Sequence, residues 1–204
     1  MTTRRQVGRR RDERVDAAIV AACRQLLAEA GYGGITMDAV AARAGVGKAA
    51  IYRRYAGKQE MVFAAAVHDL TIIAPADSGS LRADLTALCA DIAASLTTIP
   101  APSLLGLLAD ITADPASAAR IQEAFVETER ACVTEVLERA VRRGELPAVP
   151  DLTAVHALLT GSMLSWILML HRTDRRTLDE FAATIADLVT TTLTARPPQP
   201  SPAE

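Results

Sequence analysis

The chain has 204 residues, half of them apolar, and a formal net charge of -2 at pH 7. That length suits one domain or two small ones, and the apolar share excludes disorder except at the ends. The small net charge hides an asymmetry: residues 1–58 hold 12 Lys/Arg against 5 Asp/Glu, whereas residues 59–204 hold 10 against 19. A polyanion partner is therefore expected at one end only.

Residues 1–11, MTTRRQVGRRR, carry five arginines and almost nothing to bury. They read as a flexible basic arm, either lying along DNA phosphates or a minor groove or simply solvated. Asp12 to Ala30 forms a first helix, with Val15, Ile19, Ala22 and Leu26 on one face. Gly31 ends it, and Tyr32-Gly33-Gly34 turns the chain.

Thr36 is an N-cap for a second helix, Met37 to Ala44, whose inward residues are Val40, Ala41 and Ala44. Gly45 suits the left-handed conformation that closes a helix, with Val46 tucked below it. A third helix runs from near Gly47 to about Arg54. Ile51 points inward, and Lys48, Ala49, Tyr52 and Arg53 point outward. Lys58 to about Leu70 is a fourth helix with Met61, Val62, Ala65 and Ala66 inside, and Ile72 to Gly79, with Pro75, is a break.

The rest is helix after helix. Ser80 caps one with Leu81, Leu85, Leu88, Ile92 and Leu96 inward, and Ser103 to Thr112 is a short apolar one. Asp114-Pro115 opens a long helix marked by Ile121, Phe125, Cys132, Val136 and Ala140 and closed by Gly144. Asp151 caps a helix with small residues at Ala157, Gly161 and Ser165 on one face, where another backbone can come close. Thr177 with Glu180 forms a capping box. The helix it opens carries Leu178, Phe181, Ile185, Leu188 and Thr192 as a coiled-coil-like seam. Pro197 and Pro198 end it, and residues 197–204 read as a disordered tail.

A helix, a glycine turn and a second helix with a basic, aromatic outer face make a helix-turn-helix, which sets the start of its second helix against base edges. The stretch TMDAVAARAGVGKAAIYRRYAGK (36–58), with Ala30-Gly31-Tyr32 before it, resembles the DNA-binding module of TetR-family regulators. The resemblance is specific over roughly 19–62. It implies an all-α protein: a DNA-binding domain over residues 1–57, and a linking fourth helix that opens an effector-binding and dimerisation domain over 58–196. Expected DNA contacts are Thr36, Arg43, Gly47, Lys48, Ala49, Tyr52, Arg53 and Lys58. In the family the tyrosine matching Tyr52 contacts the DNA backbone. Gly47 and Gly57 stand where the family commonly has serine, and Ala50 where threonine is frequent. Glycine caps cost only about a few tenths of a kcal/mol against serine, so the helices survive. Ala49 and Ala50 keep the reach to touch a thymine methyl.

The resemblance further implies a homodimer in which the last two helices pair with their copies, through Ala157, Gly161, Ser165, Leu178, Phe181, Ile185 and Leu188. It also implies a pocket for an unidentified small apolar effector among the body helices. Leu104, Leu105, Leu108, Phe125, Met163, Trp166 and Met169 are candidates there, though any one of them is more often plain core. The protein is then expected to be a cytoplasmic repressor, without cofactor or metal, that binds a pseudo-palindromic duplex. The alternative is a helical small-molecule-binding protein with a vestigial DNA module. An enzyme is disfavoured because no catalytic constellation is visible.

Rival motifs fail on context. Gly45-Val46-Gly47-Lys48 looks like the end of a P-loop, but Ala42 and Ala49 replace its first glycine and its Ser/Thr, and no strand precedes it. A relaxed dinucleotide fingerprint over Gly45 to Ala50 follows a helix, which removes it. No nucleophile elbow is present, and His68, His156 and His171 lack paired ligand spacing. Cys23, Cys89 and Cys132 are odd in number and far apart, which argues for small buried side chains rather than disulfides, with a redox sensor as the lesser reading. The arginine-rich start leads into charged helix, not a secretory signal. The longest apolar stretch, Met163 to Leu170, falls short of the ~20 residues of a membrane span.

Overall fold

The computed structural model describes residues 3–67 and 73–195. Among them ten α-helices follow one another and no strand forms: α1 (Thr3–Gly34), α2 (Met37–Ala44), α3 (Lys48–Tyr52), α4 (Lys58–Val67), α5 (Leu81–Leu96), α6 (Ala101–Ala113), α7 (Pro115–Ile121), α8 (Glu127–Arg142), α9 (Leu152–Leu164) and α10 (Arg175–Thr194). The expected all-α class is what forms. Two five-residue π turns, Gln122–Val126 and Ser165–Met169, follow α7 and α9. The long helix expected after Pro115 is thus divided by the first of them. The expected tail at 197–204, the last residues of the fourth helix and His68 lie outside the described residues.

The elements gather into two compact units. One holds α1–α4, α6 and α7; the other holds most of α5 with α8, α9 and α10. In the first unit α4 packs on α1 and α6, because Met61, Val62, Ala65 and Ala66 form its buried face. Ile19, Cys23, Ile35, Val40, Ile51 and Leu107 are buried in the same unit, each large aliphatic contributing about 1.5–3 kcal/mol. The helix expected from Asp12 starts instead at Thr3. Arginine is a good helix former, and extending an existing helix avoids the cost of nucleation, so the basic stretch continues α1 rather than standing apart as an arm. Gly31 breaks α1 as expected, with φ 64°.

Tyr32 follows that break and is buried. Its hydroxyl donates to Asp110 Oδ2 on α6 at 2.7 Å, and Lys58 Nζ lies 3.9 Å from its ring centroid. The ring presses so closely on Gly106 that a Cβ there would stand 2.7 Å from Tyr32 Cδ1. Arg24 donates to the Ala65 carbonyl at 2.8 Å, Arg120 of α7 pairs with Glu60 of α4, and Phe63 meets Phe125 edge-on at 5.0 Å.

In the second unit the buried face of α5 includes Leu81, Leu85, Leu88, Cys89 and Ile92, as the periodicity requires, together with Asp84. Asp84 accepts from Ser78 N at 2.8 Å, from Ser78 Oγ at 2.5 Å and from Arg143 at 3.1 Å. Arg143 also donates to Asp77 and Glu145, and Glu145 accepts from Leu81 N at 2.8 Å. The segment 77–81 is thereby pinned to the end of α8. Asp151 caps α9 through Thr153 N and Ala154 N. The cap of α10 is Asp174, which accepts from Thr177 N at 3.0 Å, not Thr177 itself. Both residues suit a cap, and the carboxylate stands where the chain enters the helix.

The three thiols are buried. Desolvation raises Cys23 to about 11 and Cys89 to about 12. Cys132 is also raised, by burial first and then by nearby carboxylates. Protonated, enclosed thiols are poor redox sensors.

Two outcomes follow from these contacts. Helix propensity alone makes Gly106→Ala stabilising by about 1 kcal/mol. The contact with Tyr32 reverses the sign, and chemical denaturation should show a loss of about 1–3 kcal/mol; a gain would contradict the packing described. Burial pushes the Asp84 carboxyl up, but hydrogen bonds from Ser78 and the Arg143 guanidinium leave it below its ordinary value. A depressed folded pKa gives stability that is present above the unfolded pKa and is lost as pH falls through the folded one. Wild type should therefore exceed Asp84→Asn by about 1–3 kcal/mol at neutral pH. The gap should narrow below about pH 3.9, the ordinary aspartate value. Urea titrations at pH 7 and pH 3 measure it, and a pH-independent gap is the contrary result.

Candidate nucleic-acid interface

The basic quarter of the chain folds into α1, α2 and α3. Thr36 opens α2: its backbone is extended and its Oγ1 accepts from Ala39 N at 3.1 Å. Gly45 closes it at φ 65° and ψ 31°, with its own N–H donating to Ala42 O and that of Val46 to Ala41 O. A side-chain-bearing residue would be strained in that left-handed turn. The chain then reaches Gly47, the extended N-cap of α3, and α3 buries Ile51. This fixes what remains outside. Thr36, Arg43, Gly47, Lys48, Ala49, Tyr52 and Arg53 are exposed, Tyr52 by 57%.

The cations of this surface are not equivalent. Arg43 is held by Glu29 through two contacts, at 2.9 and 2.8 Å, and the hydrogen bond to Glu29 raises its pKa. Lys48 Nζ lies 2.5 Å from Asp38 Oδ2 on α2, and that hydrogen bond raises the lysine's pKa. Lys58 is half-buried over Tyr32. Arg54 belongs to the scaffold: it pairs with Asp16 on α1 and donates to Ala50 O at 3.0 Å. Asp38 and Glu29 are residues of this surface that sequence reasoning missed. They lie ten and fourteen positions from their partners, so helical spacing gives no sign of the pairs.

The expected effector residues divide between the units. In the first, Leu104 is buried, Leu105 exposed, Leu108 half-buried, and Phe125 sits in the π turn against Phe63. In the second, Met163 is fully buried, Trp166 half-buried and Met169 66% exposed. Of the expected interface set, Ala157, Gly161, Ser165 and Leu188 are exposed, and Phe181 and Ile185 half-buried. Leu178 is a correction: it is 6% exposed in the single chain and belongs to the unit's own core. Trp166 and Phe181, expected at different sites, stack face to face with centroids 3.9 Å apart. They help line one groove of ≈ 450 Å³ with Ala157, Leu158, Gly161, Ser162, Ser165 and Leu170. The apolar run is also longer than its uninterrupted part suggests. Leu152–Met169, 18 residues of mean hydropathy 1.5, is long and apolar enough to cross a membrane by length and composition. Polar residues such as His156 and Thr160 conceal it in the sequence.

A capped helix, a left-handed glycine and a second helix with an exposed lysine and tyrosine define a helix-turn-helix DNA-binding protein. Residues 19–65 match the family described as "Bacterial regulatory proteins, tetR family", and residues 75–189 match "Tetracyclin repressor-like, C-terminal domain". The chain belongs to the TetR family of transcriptional regulators. It is 32% identical over 184 residues to the HTH-type transcriptional regulator Rv1556 of Mycobacterium tuberculosis, covering 88% of each chain. It is 31% identical over 148 residues to the DNA-binding transcriptional repressor TetR of Mycobacteroides abscessus, covering 72% of this chain and 78% of that one. Among solved structures, the TetR family transcription regulator SCO0332 shares the fold with a TM-score of 0.66 at 24% identity, over 90% of this chain and 99% of the other. FadR from Bacillus subtilis, solved in complex with stearoyl-CoA, shares it with a TM-score of 0.61 at 15% identity, over 86% and 97%.

The contrast between neighbouring arginines is testable without DNA. Arg54→Ala removes the tie to Asp16 and the bond to Ala50 O, and should cost about 1–3 kcal/mol of stability. Arg53→Ala, on the exposed side, should stay within about 0.5 kcal/mol. Equal effects in thermal denaturation would contradict the division between scaffold and surface.

Proposed function

We propose that the protein is a homodimeric repressor that binds a pseudo-palindromic operator and is released by a small apolar ligand. Residues 1–57 serve as the reading domain and residues 58–196 as the effector-binding and dimerisation domain. Each subunit sets α3 into a major groove, the two half-sites lying about one helical turn, ~34–36 Å, apart. Lys48 and Arg53 supply cations to base edges or phosphates, Tyr52 and Thr36 contact the backbone, and Gly47 lets α3 approach closely. The observation that carries this reading is the outward set Lys48, Ala49 and Tyr52 on a helix whose one buried residue is Ile51.

Dimerisation is supported by the apolar surface of α9 and α10. Leu158 and Leu170, 54% and 56% exposed, line one groove with the small residues Ala157, Gly161 and Ser165, and Leu188 of α10 is 59% exposed. A contiguous apolar face of that kind marks an interaction site, and a self-complementary one suits a two-fold axis. An apolar effector is supported by the aliphatic lining candidates of the body. The fold relative carrying stearoyl-CoA is a case in which this architecture holds a long acyl chain. The effector acts by binding one dimer geometry better than the other, and its largest effect equals that differential affinity. Work on DNA puts the protein in the cytoplasm, and no enzymatic step is required of it.

Selection of bound duplexes from random DNA by wild type and by the Lys48→Ala/Tyr52→Ala variant tests the reading. A palindrome recovered by wild type and lost by the variant is the expected outcome. Failure to enrich any sequence at low salt would sink it in favour of a helical small-molecule-binding protein with a silent DNA module.

A further inference from the structure

We infer that Asp38 is a specificity-determining residue of the DNA interface, one that reads a cytosine amine beside the base edge faced by Lys48. The inference rests on the DNA-binding role proposed for α3 and deepens it. Lys48 opens α3 and Asp38 lies in the first turn of α2, yet their tips meet at 2.5 Å on the open surface. Side-chain exposures of 64% and 57% leave both groups accessible. Wherever the lysine reaches, the carboxylate is already there. A lysine directed at a guanine O6 or N7 therefore brings an acceptor into the groove with it.

A carboxylate in that position is selective by exclusion. Phosphates repel it, and most atoms on the base edges of the major groove are acceptors it cannot use. Two donors remain, the exocyclic amines of cytosine and adenine, and the pairing that geometry favours for Asp is cytosine N4. Asp38 Oδ2 takes the lysine, which leaves the other oxygen free to accept from the amine. The pair thus carries complementary halves of a G·C signature: Lys48 donates to guanine and Asp38 accepts from cytosine, on the same or the adjacent base pair. Asp38 is not the cap of α2, because Thr36 Oγ1 takes the Ala39 amide, although its charge also suits the first turn of that helix. Glu29 is different. Both its oxygens are engaged by Arg43, so a base amine would have to share them with that guanidinium.

Removing the carboxylate has two consequences of opposite sign. The base preference it enforces disappears, and an anion is withdrawn from the phosphate field. For non-specific duplex, log K of the dimer should then fall more steeply with log salt, by about 1.8, as though one more phosphate per subunit were neutralised. Between 200 and 50 mM salt this difference alone amplifies non-specific binding by the dimer about 12-fold.

The test is duplex selection followed by salt titration with the full-length dimer, for wild type, Asp38→Ala and Lys48→Ala, each first shown by circular dichroism to keep its helix content. The expected result has two parts. Wild type selects a G·C pair at one symmetric position per half-site, and Asp38→Ala loses that preference by about 10-fold. The same variant binds non-specific duplex more tightly, with the steeper salt slope. If Asp38→Ala selects the wild-type sequence at every position, Asp38 is not a reader, even where Lys48→Ala alters selection. If wild type selects no sequence at all, the DNA-binding role of α3 fails, and this inference with it.

Discussion

Tyr32 is the side chain on which the first unit is set. Gly31 breaks α1 with a backbone that L side chains seldom adopt, and the next residue is turned into the interior. There the ring lies against Gly106, where any Cβ would collide with it, while the hydroxyl finds Asp110. Two glycines 75 positions apart thus seat one tyrosine, Gly31 through its positive φ and Gly106 through its missing side chain. Close packing of this kind is bistable rather than soft, since a ring that cannot slide a little must either seat or leave. The position of α6 against α1 is fixed by this contact. Lys58, at the first residue of α4, joins the same ring from its face.

The reading surface obeys a different logic, because nothing on it is buried deeply enough to be held by packing. Its cations are positioned by carboxylates instead. Exposed ion pairs contribute about 0–1 kcal/mol each, too little to stabilise the fold noticeably. That is enough to bias where a lysine tip rests before DNA arrives. The same weakness leaves the ammonium's other protons free to turn toward DNA, so a surface pair can orient a cation without locking it away. Arg43, gripped by both oxygens of Glu29, is the more costly of the two to release. Arg54 is held from the side of α1 as well as by its own helix and serves the scaffold.

Much of this was legible in the chain because it is local. Thr36, Gly45 and Ile51 specify a cap, a left-handed close and an inward contact within sixteen residues, and each does in space what its type permits. Asp151 and Ser80 cap their helices for the same reason. Where two residues offer the same chemistry, locality stops deciding. Asp174 and Thr177 both suit a cap, and entry of the chain favours the aspartate. The π turns at Gln122–Val126 and Ser165–Met169 leave no mark in periodicity. Long-range pairings were out of reach altogether: Tyr32 with Gly106, Trp166 with Phe181, and Lys48 with Asp38 join residues that no spacing rule connects. Burial of Asp84 was hidden for a related reason. A carboxylate on an apolar face looks like an interruption until Ser78 and Arg143 are found around it.

The apolar α9 shows how composition and packing have to be weighed together. Mean hydropathy over Leu152–Met169 is that of a short membrane span, yet the residues do not face one solvent. Val155, Leu159, Met163 and Ile167 are sealed in the core of the second unit. Ala157, Leu158, Gly161 and Ser165 lie open on the other side. A span would place lipid on that open side, and lipid gains nothing from small residues; another helix does, because they let its backbone approach. The open side also carries aromatic surface. The Trp166–Phe181 stack forms part of the wall of its groove, and among the described residues Trp166 Nε1 is a buried donor without a partner. The hydropathy of the run is thus the sum of a sealed core face and an open face of small residues.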